Sequence, residues 1–286
     1  MISIILILLF VFSVLSVPVC HGVISGLYLY GMKIFPGLFI SFILTNILVR
    51  ILQQKNINNP WILVITGLMT GFPNGAYICS WYNKNNPENR LGDMLAGIIN
   101  IPSPAFLISY VYINILEKCI SLPMFLALTY TPVILCSYMA ILLFRDKNNK
   151  KDNAPHIKND KKLIFHFFEE AVDSSINTAL KLGAYVIIFS VIVNIIMHFS
   201  QSNTAGLLIS YLFEISNGLA IIKNAGIPMN ITVLLTVLLD AFGGVCIIMQ
   251  TKSICSSYIS IKKYIYQKLV LCIVTLITAM LLIYVL

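Results

Sequence analysis

Charge is what this sequence has least of. Only 10% of its 286 residues are Asp, Glu, Lys or Arg, where a soluble domain carries about 25%. So few charges cannot solvate a globular surface, and a hydrophobic content of 58% assigns most of the chain to an apolar solvent. Histidine is also sparse: His21, His156, His166 and His198 are scattered without ligand spacing, so no metal site is visible. The seven cysteines form no CxxC pair and lie mostly inside apolar runs, which reads as packing rather than as a disulfide or metal framework. There is no Walker loop, nucleotide fingerprint or Ser/His/Asp spacing, so ATP-driven transport within this chain and hydrolytic catalysis are not expected, and no cofactor is implied. The formal charge of +8 does not point to nucleic acid, because the largest basic cluster sits in one short loop between apolar segments.

What is present is a series of long apolar runs, and a spanning helix needs about 20 such residues. The run from Ile2 to Val19 has no basic n-region and no A-x-A site, so residues 1–20 read as an uncleaved first transmembrane helix. Residues 22–33, with Gly, Tyr and one Lys, suit an interfacial helix ahead of a span over 34–52 that Pro36 opens. Residues 61–82 are apolar but broken at Gly71-Phe72-Pro73-Asn74-Gly75, which predicts a re-entrant hairpin. Residues 87–116 are broken at Asn100-Ile101-Pro102-Ser103-Pro104, which predicts a discontinuous spanning helix, and 122–144 is a further span.

Residues 145–162 carry seven basic and three acidic side chains and predict a cytoplasmic loop. The order then repeats. Residues 163–182 suit a second interfacial helix and 183–200 a span. Residues 205–226 are broken at Glu214-Ile215-Ser216-Asn217-Gly218, and 228–250 at Asp240-Ala241-Phe242-Gly243-Gly244. A last span, about 265–286, follows Lys262, Lys263 and Lys268, which read as cytoplasmic flanking charges, whereas Lys33, Lys181 and Lys252 read as snorkelling.

The reading is an all-α polytopic membrane protein of two inverted repeats, each with an interfacial helix, a spanning helix, a re-entrant hairpin and a discontinuous spanning helix. The organisation is 1–20, 21–144 (first repeat plus one span), the loop 145–162, and 163–286 (second repeat plus the final span), with about seven crossings. It places the N-terminus and the loop in the cytoplasm and the C-terminus across the membrane. Asn74-Gly75 echoes Asn217-Gly218, Asn100 echoes Asp240, and Asn46 echoes Asn194. Repeats of opposite orientation place a transport site near the midplane, between broken helices; ordinary helices kinked by Pro and Gly are the alternative.

The motifs GLYLYGMKIFPGLFISFIL (26–44), TGFPNGA (70–76), NIPSPAFLI (100–108), FEISNGL (213–219) and DAFGGVCIIMQ (240–250) resemble, in order, those of the YlbJ family of sporulation integral membrane proteins, within the nucleoside-recognition or Gate-domain group. The chain departs from that pattern in a shorter connection between Ile51 and Thr66. The resemblance implies secondary or facilitated transport of dipicolinate. It also implies a place in the cell membrane, the mother-cell or outer forespore membrane during sporulation. A nucleoside transporter of the Gate group and a non-transporting assembly protein of sporulation are the alternatives.

The expected partners are a small-molecule substrate and the lipid bilayer, with H+ or Na+ as coupling ion; oligomeric state is left open. Glu214 and Asp240 are the acids deepest in apolar sequence and are candidates for the coupling ion or proton, with helix capping as the competing role. Asn74, Gly75, Asn217 and Gly218 would form hairpin tips that contact substrate or freed backbone. Ser103 and Gly244 precede helical restarts whose N–H groups could hold a carboxylate, and Asn100 and Gln250 could hydrogen-bond in the cavity. All these residues should converge on one midplane cavity.

Overall fold

The computed structural model describes residues 3, 6, 10, 12–55, 59–86, 90–145, 161–200, 204–255 and 258–284. Of the expected first span, 1–20, residues 3, 6, 10 and 12–20 are described, whereas residues 146–160 of the basic loop lie outside. Every element among them is helical. Five stretches are long and apolar enough to cross a membrane: Leu91–Ile115, Leu122–Phe144, Phe168–Ser200, Met229–Cys255 and Ile261–Leu282. A sixth is added if the pair Ser16–Ile34 and Leu38–Leu48, bent by 59°, counts as one span. The chain is an integral membrane protein of the all-α polytopic class.

In chain order, α1 (Ser16–Tyr28) continues through a π-helical turn (Leu29–Ile34) into α2 (Phe35–Lys55). The half-helices α3 (Pro60–Thr70) and α4 (Asn74–Asn85) follow, packed on each other. Asn59 caps α3 by accepting from the Trp61 N–H at 3.0 Å, and Pro60 stands at the first turn, where its missing N–H costs nothing. A broken span consists of α5 (Leu91–Ile99) and α6 (Pro104–Phe106), the latter prolonged as a π-helix over Leu107–Ile115, and α7 (Leu122–Arg145) closes the first half. The second half runs α8 (Lys161–Ser200), α9 (Thr204–Phe213), α10 (Ile215–Asn224), α11 (Met229–Phe242), α12 (Gly244–Cys255) and α13 (Ile261–Tyr284). Both halves thus have the order helix, interrupted pair, interrupted span, span.

Two expected junctions are absent, and the first lies between the predicted span 1–20 and interfacial helix 22–33, where Ser16–Tyr28 is one helix. The interfacial helix and span predicted to meet at 182/183 are a single 40-residue helix, α8. A glycine inside a helix costs only about 1 kcal/mol relative to Ala, and Gly183 is held against the Tyr30 ring, where an added Cβ would come within 2.7 Å of Cε1. In the first half the corresponding junction does bend, between Ile34 and Leu38, directly after the π-turn.

The two leading segments run antiparallel along each other. Gly22 faces Val191, Gly26 faces Ile187, Tyr30 donates from its hydroxyl to the Ala179 carbonyl, and Asn46 Nδ2 donates to Ser175 Oγ at 3.0 Å. As one residue number rises, its partner's falls. The polar contacts are reciprocal, since Asn194 of α8 donates to Ser25 of α1 at 3.3 Å. Asn46 and Asn194 thus each reach a serine in the opposite half.

The interrupted spans lie deepest. In Leu91–Ile115 and Met229–Cys255, 61% of the most apolar stretch is buried, against 28–39% for the other three candidate spans. Freed backbone at a break cannot face lipid, so the broken helices take the interior and continuous ones surround them. Two apolar cores flank them. One is built on Leu95, Ile99, Tyr82 and Tyr264, and the other on Leu107, Phe125, Leu219 and Val237.

Candidate functional site

In each half the hairpin break meets the span break. Gly71 ends α3 at φ +73°, a conformation open to glycine, and an added Cβ there would lie 2.4 Å from the Ser103 nitrogen. The next residue, Phe72, donates its N–H to the Ile101 carbonyl at 2.9 Å. Gly75 lies flat against the Ile99 carbonyl and Asn100. In the second half Gly244, at φ +83°, approaches the Phe213 carbonyl at 3.2 Å and the Ile215 nitrogen at 3.5 Å from its Cβ position.

Between the breaks lies a cavity of about 30 Å³ lined by Tyr30, Phe72, Ser103, Phe106, Glu214, Ser216 and Gln250 among others. Three predicted residues therefore share it: Ser103, Glu214 and Gln250. Ser103 caps α6 by accepting from the Phe106 N–H at 3.3 Å. Glu214 is 2% exposed and caps α10, its Oε2 accepting from the Asn217 N–H at 2.8 Å. The Ser216 N–H also donates to this carboxylate. Among the described residues Gln250 Nε2 reaches only the Cys246 sulfur at 3.1 Å, a weak acceptor. No Lys, Arg or His is among the lining residues.

The hairpin asparagines stand beside this cavity and bind scaffold instead of facing into it. Asn74 Nδ2 donates to Thr45 Oγ1 of α2, and Asn217 Nδ2 to Ser190 Oγ of α8, both at 3.3 Å. Each thereby ties a half-helix to the leading helix of its own half. Gly218 packs on the Tyr211 carbonyl and Leu239.

Asn100 is fully buried at the end of α5 and binds on all sides: Oδ1 accepts from the Ala76 N–H at 3.3 Å, and Nδ2 donates to the Tyr264 hydroxyl at 2.8 Å and to Thr251 Oγ1 at 3.3 Å. Asp240 lies outside the cavity, fully buried in α11, and neither carboxylate oxygen has a hydrogen-bond partner among the described residues. The Tyr130 hydroxyl of α7 and Thr236, one turn earlier in α11, are likewise buried and unpartnered among the described residues. The predicted residues thus divide among the cavity, the scaffold contacts beside it and the buried, unpartnered Asp240.

Two buried charges escaped the sequence reading. Lys268, assigned to the cytoplasmic flank of the last span, is instead completely buried. Its Nζ donates to the Asn100 carbonyl and, at 2.9 Å, to the Ala241 carbonyl. It falls on the stripe Tyr264, Lys268, Leu271, Thr275, Ala279, all buried at helical spacing, and that periodicity was the available signal. Lys33, Lys181 and Lys252 are exposed. Asp93 is 2% exposed and anchors a knot with Arg90 (2.9 Å), Lys263 (3.4 Å) and the Ser260 N–H (3.1 Å). Its signal was Arg90, three residues earlier.

No protein-family model, curated protein or solved structure matches this chain.

Proposed function

We propose that this protein is a secondary transporter or facilitator for a small aromatic or anionic metabolite. The observation that carries the reading is the meeting of two pairs of helix breaks, one pair from each half, around a buried cavity holding Ser103, Glu214 and Gln250. Paired breaks between antiparallel halves are how membrane transporters expose backbone groups to solute without exposing them to lipid. The cavity has room for about two water molecules, well short of the roughly 300–1,000 Å³ of small-molecule pockets. Solute therefore passes only if the breaks separate, which fits alternating access.

The resemblance of the break motifs to the YlbJ family makes dipicolinate, carried during sporulation, the leading substrate. The lining adds a condition. With Glu214 as its one acid and no cation, the cavity accepts a dicarboxylate only when Glu214 is protonated, so the anion would enter together with H+. The same lining favours a second reading: Tyr30, Phe72 and Phe106 beside hydrogen-bonding Ser103 and Gln250 suit a neutral nucleoside.

Uptake of labelled dipicolinate and labelled nucleosides into proteoliposomes, with and without an inward proton gradient, separates these. Saturable, proton-driven dipicolinate uptake is expected. Nucleoside uptake alone would move the substrate to the second reading, and no saturable uptake of either by folded protein would leave an assembly protein.

A further inference from the structure

We infer that Lys268 is a built-in cation, occupying a site where the ends of the two interrupted spans would otherwise bind an alkali cation or a small alkylammonium ion. The inference goes beyond the transport reading and does not depend on what the cavity carries. The last four carbonyls of a helix have no intrahelical partner, and in the interior of a membrane protein they cannot turn to water. Asn100 follows the last residue of α5, and Ala241 is the next-to-last residue of α11, where Gly243 turns the chain away. Both carbonyls are accepted contacts of one ammonium group.

The charges match as well as the hydrogen bonds. A helix C-terminus carries a partial charge of roughly −0.5, so two of them facing each other amount to about one negative charge, which one ammonium offsets. No carboxylate forms an ion pair with Lys268 among the described residues, and the nearby ring of Tyr264, 5.9 Å from Nζ, supplies a π face. The Tyr264 hydroxyl is in turn fixed by the Asn100 amide. Oxygen ligands from half-helix C-terminal ends are also how transporters coordinate Na+. Here the cation is tethered to α13, so it joins the first-half break to the second-half break without leaving.

The test is a thermal-stability measurement on purified full-length protein in chloride salts of choline, Na+, K+ and methylammonium at equal ionic strength. The wild type is expected to show the same midpoint in all four. Lys268→Ala, which vacates the site, should lose several degrees in choline and regain them saturably in at least one of the small cations. Recovery of folded Lys268→Ala only when it is extracted in such a cation counts as the same response. Lys268→Gln, which keeps N–H donors without the charge, should remain below wild type in choline. The inference is overturned if Lys268→Gln matches wild type, or if Lys268→Ala is folded and indifferent to every cation. It is equally overturned if Lys268→Ala cannot be recovered in any of the four, because a site made by the two carbonyls would accept one of them. Uptake is not read in this experiment, so its failure and that of the transport reading are distinct.

Discussion

Glu214 and Asp240 are both buried acids, and their surroundings give them different work. Glu214 spends one oxygen on the α10 N-terminus and sits on the cavity wall. Asp240 has no partner for either oxygen, and a carboxylate in that situation is expensive unless neutral or joined by a cation. Asp240→Asn is therefore expected to leave the thermal midpoint at or above wild type and to abolish any Na+ dependence of uptake, while the H+ dependence set by Glu214 persists. Unchanged Na+ dependence would remove Asp240 from the mechanism. Glu214→Gln keeps an oxygen to cap α10 and should cost only about 1 kcal/mol of stability, yet shift the pH profile of dipicolinate uptake. A pH profile identical to wild type would reduce Glu214 to a cap.

Between elements, stability rests on close backbone approaches that side chains would block. Gly71 combines φ +73° with a Cβ position 2.4 Å from the Ser103 nitrogen. A non-glycine residue there costs about 1–3 kcal/mol for the backbone alone, and neither break can yield without losing the Phe72 to Ile101 hydrogen bond. Gly71→Ala should abolish recovery of monodisperse protein, read by size-exclusion chromatography; normal recovery would mean the two breaks do not meet as described. Along α1, Gly22 and Gly26 form a Gly-x-x-x-Gly face whose Cβ positions fall 2.5 Å from Val191 Cα and 2.8 Å from Ile187 Cα. This spacing lets helices pack at backbone distance in a membrane. Gly22→Val is expected to cost about 1–3 kcal/mol by overpacking, measured as a lowered midpoint, whereas Gly31→Val, at a position with open space, should cost far less. Equal effects of the two would argue against the α1 and α8 contact.

At the scale of the molecule, three candidate spans follow the basic loop: Phe168–Ser200, Met229–Cys255 and Ile261–Leu282. An odd number of crossings puts the C-terminus opposite the loop. Single cysteines placed within residues 145–162 and at the C-terminus of a cysteine-free variant should label from opposite sides of sealed vesicles, the loop from the cytoplasmic side. Labelling from one side would break the parity on which the inverted arrangement depends. Lys262 and Lys263 remain exposed near the start of α13 and still mark that end as a membrane boundary; Lys268 no longer contributes to that argument.

The sequence by itself determined the solvent, the helical class and the places where helices stop. Each follows from local chemistry: run length against bilayer thickness, and Gly or Pro against backbone geometry. The breaks at Gly71-Phe72-Pro73, Asn100 to Ser103, Glu214 and Gly243 were legible for that reason. The absence of a break at Gly183 was not, because only the Tyr30 ring packed on it shows why that glycine stays helical. Tertiary structure alone decided where side chains go. A lysine six residues after another lysine at the start of a helix looks like a flanking charge until two helix ends from distant parts of the chain are brought to it. Asn100 and Asp240 looked equivalent by position, yet one is saturated with hydrogen bonds and the other has none, since partners such as Tyr264, Thr251 and Lys268 lie more than 150 positions from Asn100.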